Sequence, residues 1–172
     1  MVSNIKLIST SGKGNLAIQK DEQLVASLNY KSWMSRSASS ELDDQSIQIT
    51  APSIWKSTYL ISKAGKEIGS IKMNWKGNLV ISYFLDDGET YQLHFKLKGF
   101  WKQHYELSDE EGNILLIIRS QFLWRKFKYE YPVTDIHDKL KGNQLIEILL
   151  FCAYCINLIQ NMQSAAASGA AG

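Results

Sequence analysis

Between Asn143 and Met162 the chain contains no Gly and no Pro and is dominated by Leu, Ile, Phe, Cys and Ala. This predicts a helix of about twenty residues, about 30 Å long at 1.5 Å per residue. On a 100° wheel Asn143, Glu147, Tyr154, Asn157 and Asn161 share one narrow stripe, and nearly every other position is apolar. A helix apolar almost all round belongs in a bilayer or in the middle of a protein core. The core is the better home. Between Glu147 and Asn157 only about nine residues are free of strongly polar side chains, about 14 Å of helix, against the roughly 30 Å of a bilayer core. Because no charge follows Glu147, a C-terminal membrane anchor stands as the alternative. Asn143 after Gly142 is the expected N-cap, and Glu147 falls in the first turns, where the helix dipole favours an anion. The tail from Ser164 to Gly172 is Ala, Ser and Gly only and is expected to fray.

From residue 5 to about 131 the pattern is different. Ile71, Met73 and Trp75 alternate with Lys72, Asn74 and Lys76, and Tyr91, Leu93, Phe95 and Leu97 alternate with Gln92, His94, Lys96 and Lys98. Trp101, Gln103, Tyr105 and Leu107 alternate with Lys102, His104 and Glu106. Period 2 of this kind means strands with one buried face. Gly-Asn at 14–15, 77–78 and 112–113, and the acidic runs Asp86-Asp87-Gly88 and Asp109-Glu110-Glu111-Gly112, mark hairpin tips, the Gly-Asn pairs as two-residue turns with positive φ. About twelve strands are expected, near 5–9, 15–20, 23–29, 33–38, 46–50, 57–62, 67–74, 79–85, 90–98, 102–107, 113–120 and 124–131. The polar, Ser-rich stretch 35–45 reads as a long loop. A length of 172 residues, 45% of them hydrophobic, suits one domain spanning 1–163, with 164–172 as its tail.

An antiparallel array of about twelve strands closed by one hydrophobic helix resembles the tubby C-terminal fold, shared with the LURP-one-related proteins and the phospholipid scramblases. The resemblance covers residues 5 to 162. It implies a closed barrel with the helix threaded through its centre, which would remove exposed strand edges and give the helix a sleeve of inward-facing residues. It also implies binding of anionic phospholipid or phosphorylated head groups. Tubby proteins use basic residues beside the barrel for phosphoinositides, and no position here matches those one by one. Scramblases are associated with an acidic calcium site, and this chain has no D-x-[DN]-x-[DN]-G loop.

Nineteen Lys and Arg against seventeen Asp and Glu leave a net charge of +2, so binding charge must be local. Lys72, Lys76, Lys96, Lys98 and Lys102 fall on outward positions of the middle strands and are the candidate ligand-binding residues. Arg119, Arg125, Lys126 and Lys128 add cations over 119–128 without one acidic residue. Outer-face Lys also serves simply to block edge-to-edge aggregation. Trp33, Trp55, Trp75, Trp101 and Trp124 recur along the barrel region, and four are followed by a base: Lys56, Lys76, Lys102 and Arg125. Strand geometry would send each ring inside to fill the barrel and each cation out to solvent. The alternative is a basic outer face with aromatic anchors, suited to an anionic lipid surface.

Catalytic motifs are missing. There is no G-x-S-x-G, H-E-x-x-H or G-x-x-x-x-G-K-[ST], and Ser11-Gly12-Lys13-Gly14 is only a turn. Cys152-x-x-Cys155 lies inside the apolar helix, where two small core residues are expected and a redox or zinc motif is not. His94, His104 and His137 stand apart and read as solvated. No metal, no cofactor and no nucleic-acid partner is expected, since neither an RNP-like motif nor a basic helix is present. With one Lys and no long apolar run over Met1–Thr10, a cytoplasmic location is expected, peripheral at a membrane if the lipid reading holds. The functional expectation is a non-enzymatic module for anionic lipid. The alternatives are a protein-interaction or structural barrel and a tail-anchored protein.

Overall fold

The computed structural model describes residues 4–32, 35–51, 57–74, 76–84, 89–99 and 101–169. The strands are β1 (Ile5–Ser9), β2 (Leu16–Lys20), β3 (Gln23–Tyr30), β4 (Ala38–Leu42), β5 (Gln45–Thr50), β6 (Thr58–Lys63) and β7 (Lys66–Met73). They continue with β8 (Leu79–Phe84), β9 (Thr90–Lys98), β10 (His104–Ser108), β11 (Ile114–Arg119), β12 (Gln121–Leu123) and β13 (Lys128–Thr134), and one helix follows, α1 (Gly142–Gly169). Each strand from β1 to β10 pairs antiparallel with the next. β13 then pairs with β11 on one side and β1 on the other, Ile118 opposite Val133 and Leu7 opposite Tyr131. The sheet therefore closes into a barrel of twelve strands. Short β12 continues the line of β11 past Ser120 and pairs with β13.

The helix runs inside this barrel. Leu145 through Ile156 are all buried, and Leu149, Phe151, Ala153 and Ile156 are wholly so. A helix laid on a sheet exposes a stripe every three or four residues, so unbroken burial over more than three turns requires wall on every side. Ile5, Leu7, Ile18, Leu28, Ile49, Ile61, Ile71, Ile81, Phe95, Leu107, Ile118 and Tyr131 supply that wall, at the alternate positions that face inward. By length and composition α1 is able to cross a membrane, yet 72% of its most apolar window is buried inside the protein.

The polar stripe of the helix makes its bonds to the barrel. Asn143 donates to the Asp43 carboxylate, and Glu147, 3% exposed, accepts from Lys63 Nζ at 2.8 Å and from the Tyr83 hydroxyl at 3.3 Å. Farther along, the Tyr154 hydroxyl donates to the Arg36 carbonyl and Asn157 Nδ2 donates to the Gly14 carbonyl at 2.7 Å. These bonds set the depth and rotation of an otherwise featureless apolar rod.

Local differences from the sequence-based expectation have physical causes. The Ser-rich stretch 35–45, expected as a loop, contains β4 and the turn into β5. Its inward residues are Ala38, Ser40 and Leu42, too small and polar to show a hydrophobic alternation. The expected strand at 33–38 is accordingly displaced to Ala38–Leu42, and Trp33 lies outside the described residues. The two-residue turns are Asp21-Glu22, Asp43-Asp44 and Ala64-Gly65, all with positive φ. The Gly-Asn sites instead close longer turns, in which Gly14, Gly77 and Gly112 take the left-handed position after an i to i+3 hydrogen bond. Asp109 anchors the last of these, and the Asn113 amide that bonds it holds its carboxyl below the ordinary aspartate value. The final strand begins at Lys128, because 124–127 is a turn.

The helix also differs at its ends. It starts at Gly142, so Asn143 lies within the first turn and spends its side chain on Asp43 and not on a cap. It runs on to Gly169 through the tail expected to fray, with Ser164 and Ser168 hydroxyls donating to the carbonyls four residues back.

One seam is weak. Among the described residues β3 and β4 pair only at Asn29–Ser39 and Tyr30–Ala38, and beside the splayed part the buried Ser40 hydroxyl finds no partner among them. Hydrogen exchange should be faster at Ala26, Ser27 and Glu41 than at Ile71 or Ile81, measured residue by residue. Leu149→Asp or Ile156→Asp should abolish soluble expression, because an unpaired charge in the barrel centre costs several kcal/mol. Lys63→Met should lower stability by about 1–3 kcal/mol in urea unfolding, and adding Glu147→Leu should recover most of the loss, since the damage comes from an unpaired buried carboxylate.

Candidate functional site

Strict up-and-down order gives the barrel two unlike ends. At the end where α1 enters, the connections include the tight turns at Asp21-Glu22, Asp43-Asp44 and Ala64-Gly65. At the end where α1 leaves lie the connections 10–15, 31–37, 51–57, 74–78, 99–103 and 120–127. The sequences of these six segments contain Lys13, Lys31, Arg36, Lys56, Lys76, Lys102, Arg125 and Lys126 and no Asp or Glu at all. Asp21, Glu22, Asp43, Asp44, Asp109, Glu110, Glu111, Asp135 and Asp138 belong to connections at the entry end. Charge is thus sorted along the barrel axis, cations toward the helix C-terminus and many of the acids toward its N-terminus, which matches the helix dipole.

The five candidate lysines fall on one flank that runs to the exit end. Lys72 is exposed on the outer face of β7 one residue before its end, and Lys76 is exposed in the turn from β7 to β8 and not on a strand as expected. Lys96, half-buried, and Lys98, exposed, share the outer face of β9. Lys98 stands opposite His104, which stands opposite Arg119, so a row of three basic side chains crosses β9, β10 and β11. Lys102 is exposed in the connection to β10. It was expected on a strand. Gly99 takes φ of 80°, and a Cβ there would lie 2.6 Å from the Lys102 carbonyl. The close turn delays β10 to His104.

The same turn ejects Trp101, which is 91% exposed. Trp33, Trp55 and Trp75 lie outside the described residues. Trp124 is 76% exposed. For the two described tryptophans the expectation that Trp fills the barrel is therefore overturned. Leu, Ile, Phe and Tyr fill it instead, and α1 leaves no room for indoles at the centre.

Trp124 sits on the β12–β13 hairpin, which projects beyond the barrel rim. β1 stops at Ser9 and β10 begins at His104. Among the described residues, β12 therefore pairs with β13 alone. Phe122 and Tyr129 face each other across it, 4.9 Å between ring centres, and Trp124 lies edge-on to Phe122 at 4.9 Å. Lys126 N donates to the Leu123 carbonyl, and Phe127 closes the turn at φ of 47° with its side chain 82% exposed. A left-handed residue other than Gly costs roughly 1–2 kcal/mol. The neighbouring groove is lined by Trp101, Lys102, Arg119, Phe122 and Tyr129, so this hairpin and the candidate Lys102 share one surface.

Two shallow clefts flank the helix as it leaves. One, about 290 Å³, is lined by Tyr30, Arg36, Tyr59, Tyr154 and Asn157, and the Tyr30 hydroxyl is pushed well above its usual range by burial. Elsewhere the chemistry is quiet. Cys152 and Cys155 are free, wholly buried and raised far above ordinary thiol values by desolvation, which leaves them protonated and unreactive. His94 is half-buried, His104 is half-buried with Glu106 at 3.0 Å, and the exposed His137 accepts from the Lys139 amide. No group of three His, Cys, Asp or Glu able to hold a metal occurs among the described residues.

Alternation along the strands places Lys72, Lys96 and Lys98 outward, whereas Lys76 and Lys102, expected on strands too, fall in turns. The sequence reading missed the projecting hairpin because Trp124 to Phe127 was counted into a strand, although the Leu-Trp-Arg-Lys-Phe run, with large apolar residues on both alternating faces, was a visible objection. Comparison with protein-family models, with curated proteins and with solved structures finds no match to this chain.

Proposed function

We propose that this chain is a non-enzymatic binding module, a tubby-like barrel that takes an anionic phospholipid surface or a phosphorylated head group on its basic flank and exit end. The observation that carries the reading is the complete absence of acidic residues from the six exit-end connections, which hold eight bases. A net charge of +2 gives no attraction over the whole molecule, whereas cations gathered on one side act together within a Debye length of a charged surface. Each cation near such a surface contributes about 1 kcal/mol, so Lys72, Lys76, Lys96, Lys98 and Lys102 together provide measurable, salt-sensitive attachment without a deep pocket.

A protein-interaction barrel is the second reading, and the β3–β4 seam favours it. The two strands meet in only two residue pairs, and their separated stretches border a groove that includes Leu24, Ala26, Ser40 and Gln48. An extended peptide adds to open strands of this kind.

Charge reversal separates the two. Lys72, Lys76, Lys96 and Lys98 replaced together by Glu should abolish sedimentation with anionic vesicles and leave the circular dichroism spectrum intact. The unmodified protein should be released from such vesicles by high salt. Sedimentation unaffected by the four changes, or none by the unmodified protein, would favour the peptide-binding reading.

A further inference from the structure

The basic flank attracts, but it does not say which part of the barrel meets the surface. We propose that the β12–β13 hairpin, with Trp124 and Phe127 at its tip, is an anchor that inserts shallowly into the interface of an anionic bilayer, so that the barrel stands end-on with the exit of α1 toward the lipid. This rests on the lipid reading above and adds to it a site and an orientation.

Four observations converge on the hairpin. Its two tip aromatics are 76% and 82% exposed, and Trp101, 91% exposed, stands on the adjoining groove with Phe122. Large aromatic side chains are rarely left this accessible in a cluster without a contact surface to meet. Second, Phe127 occupies a left-handed position, φ 47°, which elsewhere among the described residues falls to Gly and to the smaller or polar Asp21, Glu22, Asp43, Asp44, Ala64 and Asp135, and to no other large apolar residue. Gly would relieve that strain at Phe127, so the ring is held at a cost to folding. Third, Arg125 and Lys126 lie between the two aromatics in the turn, and 119–128 contains no acidic residue. Indole at head-group depth with cations beside it is the arrangement that suits an anionic lipid interface.

The fourth observation is shape. Gln121 is level with Ile8 of β1, both opposite Glu130, so the tip from Leu123 to Lys128 runs past Ser9, the last residue of β1, and Trp124 and Phe127 crown a projection. A convex tip enters a deformable lipid surface, whereas a rigid protein partner would need a matching cavity. The helix segment 161–169, exposed and without a charged residue, leaves from this same end and would meet no repulsion there.

The test uses vesicles of phosphatidylcholine with and without phosphatidylserine. Cys152 and Cys155 are wholly buried, so a thiol introduced at Lys126→Cys or, at the opposite end, Gln45→Cys takes an environment-sensitive dye selectively. On vesicle binding the dye at 126 should shift to the blue and become shielded from an aqueous quencher, and the dye at 45 should do neither. Phe127→Gly should raise the thermal midpoint while weakening partitioning, and Trp124→Ser with Phe127→Gly should weaken it about ten-fold or more. That double variant should also lose the part of binding that survives high salt. If the unmodified protein sediments with anionic vesicles while the dye at 126 stays aqueous, or if the double variant binds as tightly as the parent, the anchor is wrong and electrostatic attachment stands. If the unmodified protein does not sediment at all, the anchor and the lipid reading fail together.

Discussion

Everything in this molecule depends on enclosing one apolar helix. Leu145 to Ile156 presents hydrophobic side chains in all directions, and only a closed wall removes all of them from water at once. The requirement is mutual. A twelve-strand barrel has an interior that short aliphatic side chains alone do not fill, and α1 takes that volume. Closure also joins the first and last strands of the ring, since β13 returns to β1, and among the described residues leaves open strand chiefly at the β3–β4 seam.

An apolar rod in an apolar sleeve has no preferred depth, and the few polar groups of α1 supply one. Glu147 meets Lys63 and Tyr83 toward the entry end, and Tyr154 and Asn157 meet Arg36, Gly14 and Tyr30 toward the exit end. Displacing the helix by one turn would leave a buried carboxylate and several buried amide and hydroxyl groups unpaired. The stripe bonds to β6 and β8 through Glu147 and to Tyr30 and the connections before β2 and β4 through Tyr154 and Asn157, so separate parts of the ring are tied to one helix.

The helix also gives the barrel a direction. Its N-terminus lies among turns that carry Asp and Glu, and its C-terminus among connections that carry only Lys and Arg, an arrangement that lowers the electrostatic energy of the dipole at both ends. The same sorting leaves one end of the molecule basic and rich in exposed aromatics. Stability and surface chemistry thus arise from one feature, and the projecting hairpin places its apolar groups where the positive charge already is.

Read alone, the chain determined the architecture. Period-2 alternation along β7, β9 and β10, and the continuous apolar run of α1, are local patterns whose meaning does not depend on what they pack against. They led to about twelve strands, one buried core helix and outward Lys72, Lys96 and Lys98. Tertiary structure decided what alternation cannot encode. β4 was hidden because its inward positions hold the small Ala38 and the polar Ser40, which show no hydrophobic alternation. The last strand appeared too early because Trp124 and Phe127 look like core residues until the barrel is seen to be already full. Which end a connection occupies is set by counting strands around a closed ring, and only that count gathers Lys76, Lys102, Trp101 and Trp124, far apart in the chain, onto one side.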